Sequence, residues 1–276
     1  MSEFNTPPPR GMAPTDQRDG MGLIRRARAF VVPAALVLFW ESVARAGWVS
    51  PQMLPSPGEL LGTLASLVDN GTLLAHAGSS SLRVLIGFII GTGLAVAIGG
   101  AVGLSRRTEA LLDPSLQALR AIPALAWVPL LLMWLGTDEA PKLALIALGA
   151  FFPVYLEFVA GIRNVDRKLV EIGGIHGLTG CRLVCRVFLP AALPQLFAGL
   201  RMSLSLSWMF LVAAELTGTT RGLGRLLAEG REGSHADLVI VAIVTLAVLG
   251  KTSDSLLRWL ASRLLDWRDV VDTRPL

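Results

Sequence analysis

This chain has 276 residues, of which 53% are hydrophobic and only 17% charged, against roughly 25% charged in ordinary soluble domains, and its mean hydropathy is +0.58. That deficit argues against a water-soluble globule and for a polytopic membrane protein. The net charge of +4 does not point to nucleic acid, because the basic residues cluster between apolar runs, the pattern that sets orientation in a bilayer.

Residues 1–22, with Pro7-Pro8-Pro9, Gly11, Pro14 and Gly20, have disorder-prone composition and read as a loose tail. Arg25, Arg26 and Arg28 then precede an apolar run from Ala29 to Ala44, broken only by Glu41. A cleaved leader competes here, since Ala44-Arg45-Ala46 suits a processing site. The long run and its polar preface favour an uncleaved first span over 23–46. The next stretch, 47–81, lacks Lys and Arg. Within it Ser56-Pro57-Gly58-Glu59 predicts a helix start: a capping Ser, Pro at the first helical position and Glu three residues on. Leu60, Leu61, Leu64, Leu67 and Val68 follow at helical spacing, so an amphipathic helix is expected on the membrane surface or against the bundle, ended by Asn70-Gly71.

Val84 to Ser105 carries no charge and is long enough, at about 1.5 Å per residue, to cross a roughly 30 Å hydrocarbon core. Gly87, Gly91, Ala95, Gly99 and Gly103 recur every four residues, a ridge that lets another helix approach closely. Arg106-Arg107 closes this span. Residues 108–120 read as a partly embedded helix leading into an uncharged run, Ala121–Thr137, with Pro123, Pro129, Trp127 and Trp134. Its prolines predict an interior, kinked span. After a turn at Gly136-Thr137-Asp138-Glu139, Leu143–Ile162 is a further span containing Glu157. Ala191–Ala214, with Arg201 inside, and Leu238–Leu257, with Lys251 and Asp254, complete six; a polar loop, Glu215–Asp237, separates them. With the N-terminus in the cytoplasm, only Arg45, Lys142, Arg221, Arg225 and Arg231 among the basic residues outside spans fall on the outer side. Both termini are therefore expected inside. The expected organisation is a tail over 1–22, a first span over 23–46, an outer segment over 47–81, a core over 82–262 and a tail over 263–276.

Arg163 to Pro190 is a polar island in this oily sequence. Asp166, Lys168 and Glu171 start a segment whose Leu169, Ile172, Gly173 and His176 share a helical face; Gly177 and Gly180 break it. Leu183, Val184, Val187 and Phe188 are spaced for a second helix that bends at Leu189-Pro190. Connections in helical bundles are commonly about 2–8 residues, so a docking element is preferred here to a plain loop. Cys181 and Cys185 inside it are two thiols, too few for a zinc site, and read as small residues in a reducing compartment. His76, His176 and His235 sit on different segments without ligand spacing, and no GxxxxGK[ST] phosphate loop occurs. Catalytic, cofactor and metal residues are therefore assigned as none. A membrane-embedded hydrolase and an ion channel stay as competing classes, the first lacking a Ser–His pair in matching spans and the second disfavoured by the long island.

The island resembles the cytoplasmic signature of the inner-membrane permeases of bacterial ABC importers: Glu-Ala-Ala, a later Gly, then after nine residues an aliphatic residue, any residue, Leu and Pro. Glu171, Gly177, Val187, Leu189 and Pro190 fall in that register, with Ile172 and Gly173 where the family has two alanines. Leu54-Pro55-Ser56-Pro57, Ile162-Arg163-Asn164-Val165-Asp166, Ala214-Glu215 and Gly250-Lys251 with Asp254 look like the branch serving aliphatic sulfonates, taurine and nitrate, sulfonates being preferred. The resemblance implies an all-α fold of about six transmembrane helices with a cytoplasmic coupling helix. It also implies a homodimer, cytoplasmic ATPase subunits that hold ATP and magnesium, and a periplasmic substrate-binding protein. In that reading Glu171, Ile172, Gly173, Gly177, Val187, Leu189 and Pro190 couple to the ATPase. An anionic cargo would favour Arg201, Ser203, Ser205, Ser207, Glu215 and Lys251 along the pathway. Two alternatives stay open: Arg201 pairs with a carboxylate of a neighbouring span, and Lys251 pairs with Asp254 at i, i+3.

Overall fold

The structure, a computed structural model, describes residues 31–265 apart from 33, 49 and 51. They form two compact units divided after Glu59. In the first, α1 (residues 31, 32 and 34–45) is the described part of the expected first span; 1–30 and 266–276 lie outside the described residues. Trp40 donates its indole N–H to the Pro55 carbonyl at 3.1 Å. Ser56 and Glu59 form the expected capping box, the Ser56 amide donating to the Glu59 carboxylate at 2.8 Å and the Glu59 amide to Ser56 Oγ at 3.3 Å. The helix so started is α2 (Pro57–Asp69).

From Leu60 onwards the elements are α3 (Thr72–Leu104), α4 (Arg106–Ala121), a 3₁₀ turn (Ala124–Trp127), α5 (Val128–Leu135), α6 (Ala140–Arg163), α7 (Arg167–Ile175), α8 (Gly180–Leu183), a π turn (Val184–Phe188), α9 (Leu189–Leu216), α10 (Leu223–Glu232) and α11 (Ala236–Leu264). No strand occurs among the described residues. Four runs are long and apolar enough to cross a membrane: α3, α6, the 180–216 run and α11; α4 with α5 makes a fifth if the bent pair is one span. The sixth expected span rests on 23–46, only partly described.

The core is α6 between α3 and α9. The small-residue ridge of α3 does what its spacing predicts. A methyl group at Gly91 would fall on the Ala147 carbonyl of α6, and one at Gly103 would meet Ile162 at 2.9 Å. On the other face of α6, Gly149 admits the Phe210 ring of α9. Helices pressed this closely gain dispersion contact, the attraction that remains when lipid removes the hydrophobic drive between them. Ala95, Val102, Val154, Tyr155 and Val159 are buried at this contact.

Three expectations change. α3 starts at Thr72, twelve residues before Val84, because the polar side chains of that extra length, His76, Ser80 and Arg83, are buried and bonded. The stretch Glu215–Asp237 is no open loop: α10 folds inside it and buries Leu223 and Leu226 against Leu67, Leu73, Val241 and Ala242. That cluster also receives Leu60 and Leu64, so α2 lies against the bundle, with Leu61 and Val68 turned outwards. Finally, the Ala121–Thr137 run is broken instead of kinked, α4 meeting the following helix at 90° around Ile122-Pro123. Pro129, at the second position of α5, needs no donor there and disturbs nothing. The run was expected to be interior, yet Leu125, Met133 and Trp134 are exposed in the single chain.

Candidate functional site

The island folds as a capped helix on a glycine turn. Asp166 caps α7, its carboxylate accepting from the Lys168 amide at 2.9 Å. Gly177, at φ +70°, closes the other end. Its amide donates to Gly174 O at 2.9 Å and the Leu178 amide to Gly173 O at 3.0 Å, a Schellman ending that needs a left-handed residue. The chain then turns through Gly180 into α8 and the π turn, where the Leu189 amide reaches back to Val184 O. This widened turn directly precedes Pro190, which has no N–H for the preceding turn.

Gly173 is buried, and a methyl there would lie 2.8 Å from Leu183 Cδ1 and 3.2 Å from Val187 Cγ2. A small residue at 173 is thus what lets α7 pack on the second half of the island. Leu169, Ile172, Gly173 and His176 do share one face; with Val187 and Pro190 they line a cleft of about 320 Å³. Glu171 turns to the other side, into a recess of about 1090 Å³ with Arg106, Arg163 and Arg167, where Arg163 pairs with Glu109 at 2.8 Å. Leu189 is exposed at the start of α9. Sequence reasoning passed over Ile175, which is 83% exposed at the tip of α7. With Leu169 and Ile172, half exposed at the mouth of that cleft, it forms an i, i+3, i+6 apolar strip, and that spacing was the available signal.

At the opposite end of the bundle the charges are enclosed. Glu215, 1% exposed, accepts from Ser80 Oγ at 2.8 and 2.9 Å, from Arg83 Nη1 at 2.7 Å and from the Gly224 amide at 2.7 Å. Ser80 Oγ in turn accepts from the Leu223 amide, and His76 Nδ1 lies 2.9 Å from the Gly222 amide. Arg83 also donates to the Arg221 carbonyl and to Glu139, just before α6. One carboxylate and one guanidinium therefore tie together α3, α9 and the starts of α6 and α10. The hydrogen bond from Arg83 holds the Glu139 carboxyl below its usual range, against a smaller opposing effect of burial. The i, i+4, i+7 spacing of His76, Ser80 and Arg83 on an apolar helix was the sequence signal for this face.

The other intramembrane polar residues divide by exposure. Arg201 bonds Asp254 on α11 at 2.9 Å, and Arg258 reaches the same carboxylate at 2.5 Å. Of the open alternatives, the cross-helix pair forms; Lys251 finds no partner among the described residues. Ser203 and Ser207 are fully buried, their hydroxyls on the carbonyls of Ala150 and Ser203, while Ser205 is exposed and bonds Arg201 O. Trp208 links α9 to α11 through Ser253 Oγ at 3.0 Å.

Residues 85–266 match the family described as the inner membrane component of binding-protein-dependent transport systems. The chain is 42% identical over 242 residues to the putative aliphatic sulfonates transport permease protein of Bacillus subtilis, covering 88% of each chain. It is 41% identical over 242 residues to the protein of the same description in Escherichia coli, 88% of this chain and 92% of that one. With the taurine transport system permease protein of Escherichia coli it shares 32% over 243 residues, 86% and 88% of the two chains. Helices built to cross a membrane, joined to a match over most of their length, place this chain in the family of binding-protein-dependent inner-membrane transport components: multi-pass subunits of importers in which a separate ATPase hydrolyses ATP and a binding protein delivers the substrate.

Proposed function

We propose that this chain is the membrane subunit of an importer for aliphatic sulfonates, working as a homodimer with both termini in the cytoplasm. The names of the relatives at 41–42% identity support the substrate, and the lower identity to the taurine permease ranks taurine second. The crowding of basic residues on the segments sharing a side with the termini supports the orientation. In this reading 163–190 is the coupling element, and ATP and magnesium are held by the partner ATPase.

The observation that carries the coupling assignment is the exposed apolar strip Leu169, Ile172 and Ile175 on a capped helix beside an open cleft. Such a helix laid in a groove of the ATPase transmits closure of that partner as rigid-body motion. Glu171, Ile172, Gly173, Gly177, Val187, Leu189 and Pro190 form this lever and its seat. Along the pathway, Arg201, Ser205 and Lys251 are exposed and are assigned to meet substrate. Ser203, Ser207 and Glu215 already have bonds within the chain and hold α9 in place beside it.

Gly177→Trp and Glu171→Lys are expected to abolish growth on an alkanesulfonate as sole sulfur source while the protein remains inserted and abundant. Transport and ATPase co-purification that survive both substitutions would sink the docking assignment.

A further inference from the structure

We propose that Cys181 and Cys185 form a reversible dithiol switch under α7, closed to a disulfide by a hydroperoxide and reopened by a thiol reductant; its effect on the ATPase rests on the importer reading above. They are the chain's two cysteines. Cys181 lies in α8 and Cys185 in the π turn that follows, and their sulfurs stand side by side at 3.9 Å. No third His, Cys, Asp or Glu completes a metal-binding group with them among the described residues. The chemistry open to the pair is therefore that of two thiols facing each other.

A disulfide needs its sulfurs about 2.05 Å apart and its β-carbons near about 3.8 Å. Residues four apart on a regular α-helix hold their β-carbons about 5–6 Å apart, so closing this pair has to move backbone. The turn that tightens is the junction of a four-residue helix, entered through Gly180 at φ +52°, with the wider π turn. Few regular helical bonds oppose its movement. A bridge that bends its own turn is readily reduced again, the behaviour of labile regulatory disulfides.

The movement reaches α7 because the same turn seats it. Leu183 lies between the two cysteines and Val187 two residues beyond them, and these side chains pack on Gly173 with no room even for a methyl group. Close packing passes a small shift on as displacement of the whole element. Closure therefore loosens α7 and alters how Leu169, Ile172 and Ile175 are presented. In the reaction a hydroperoxide oxidises one thiol to a sulfenic acid and departs as water or an alcohol. The second sulfur then attacks the sulfenic sulfur, the S–O bond breaks, and a water leaves carrying the second thiol's proton. Two thiols lose two electrons and the peroxide gains them; thiol exchange in a reducing compartment reverses the change.

The test treats the assembled importer in membrane vesicles with hydrogen peroxide and then with dithiothreitol. Trypsin cuts after Lys168, Arg182 and Arg186, so closure is read by mass as peptides 169–182 and 183–186 that stay joined until reduced. The chain should still run as a monomer on a non-reducing gel. Amide exchange over 167–175 is expected to rise about tenfold on closure and to recover after dithiothreitol, while ATPase recovery with the chain falls severalfold and returns. Cys181→Ser and Cys185→Ser, made singly, are each expected to abolish these responses. The proposal is overturned if no joined peptides form, if the bridge links two chains, if closure leaves exchange in α7 unchanged, or if either single variant still responds. Closure with faster exchange in α7 but full ATPase recovery would refute the docking assignment and leave the switch standing.

Discussion

The two ends of the bundle use charge and glycine in opposite ways. At the α10 end, Glu215 and Arg83 are buried, mutually bonded and wrapped by backbone amides. At the island end, Arg167, Glu171, Arg182 and Arg186 are exposed without partners among the described residues. Glycine follows the same division. Gly222, at φ +145°, makes room for the Glu215 carboxylate, onto which any side chain there would fall. Gly177, also at positive φ, has open space where a side chain would go, so only its backbone conformation is in demand. One end is finished within the chain, and the other presents groups for a partner to finish. In the proposed reading, that difference separates residues that hold the fold from residues that would meet the ATPase.

Glu215→Ala should break this contrast most severely. It leaves the buried Arg83 guanidinium with Glu139 as its one carboxylate and takes the acceptor from Ser80 Oγ and the Gly224 amide; losing one member of a buried pair costs about 3–5 kcal/mol, thermal unfolding in detergent should report it, and an unchanged Tm would refute the staple. Next comes Gly222→Ala, which forces a left-handed backbone onto a β-carbon and displaces the carboxylate, at about 1–3 kcal/mol. It is expected to lower Tm and to expose α10 to protease; Gly218→Ala, strained at φ +117° but with open space for its methyl group, should cost less and leave α10 protected. Ile175→Ser sharpens the comparison from the other side. Stability should stay within about 0.5 kcal/mol, as for exposed positions generally, while co-purification of the ATPase falls; equal ATPase recovery would remove Ile175 from the docking strip.

The smallest effect concerns Glu139. Its carboxyl is held below the ordinary glutamate value of about 4.3, chiefly by the Arg83 hydrogen bond. A depressed folded-state pKa contributes stability that is present above the unfolded value and lost as pH falls through the folded one. Acidification below the ordinary glutamate value should therefore loosen the α6 start, visible as faster amide exchange near Glu139. Because Glu139 is half exposed, solvent weakens the pair, and Glu139→Gln should cost far less than Glu215→Ala. Equal costs would erase the distinction between the two carboxylates.

The small-residue ridge, the Ser56–Glu59 capping box and the face shared by Leu169, Ile172, Gly173 and His176 were legible because each depends on spacing within one helix. The island was legible too, as polarity and length with no use inside a bilayer. Ile175 escaped attention for a different reason: an apolar residue in an apolar sequence carries no signal until its neighbours are seen to be missing.

By itself, then, the sequence determined that this is a membrane protein, where most of its apolar runs lie and which segment is more polar than a bilayer requires. Those properties follow from transfer free energy and helical period, which act residue by residue. Only the tertiary structure decided that Glu215 bonds Ser80 and Arg83 more than 130 residues away, that Asp254 belongs to Arg201 and not to Lys251, and that the Pro123 run breaks at a right angle. A partner for a buried charge, or a use for an interrupted helix, depends on which helices lie side by side, and no local pattern specifies that neighbour.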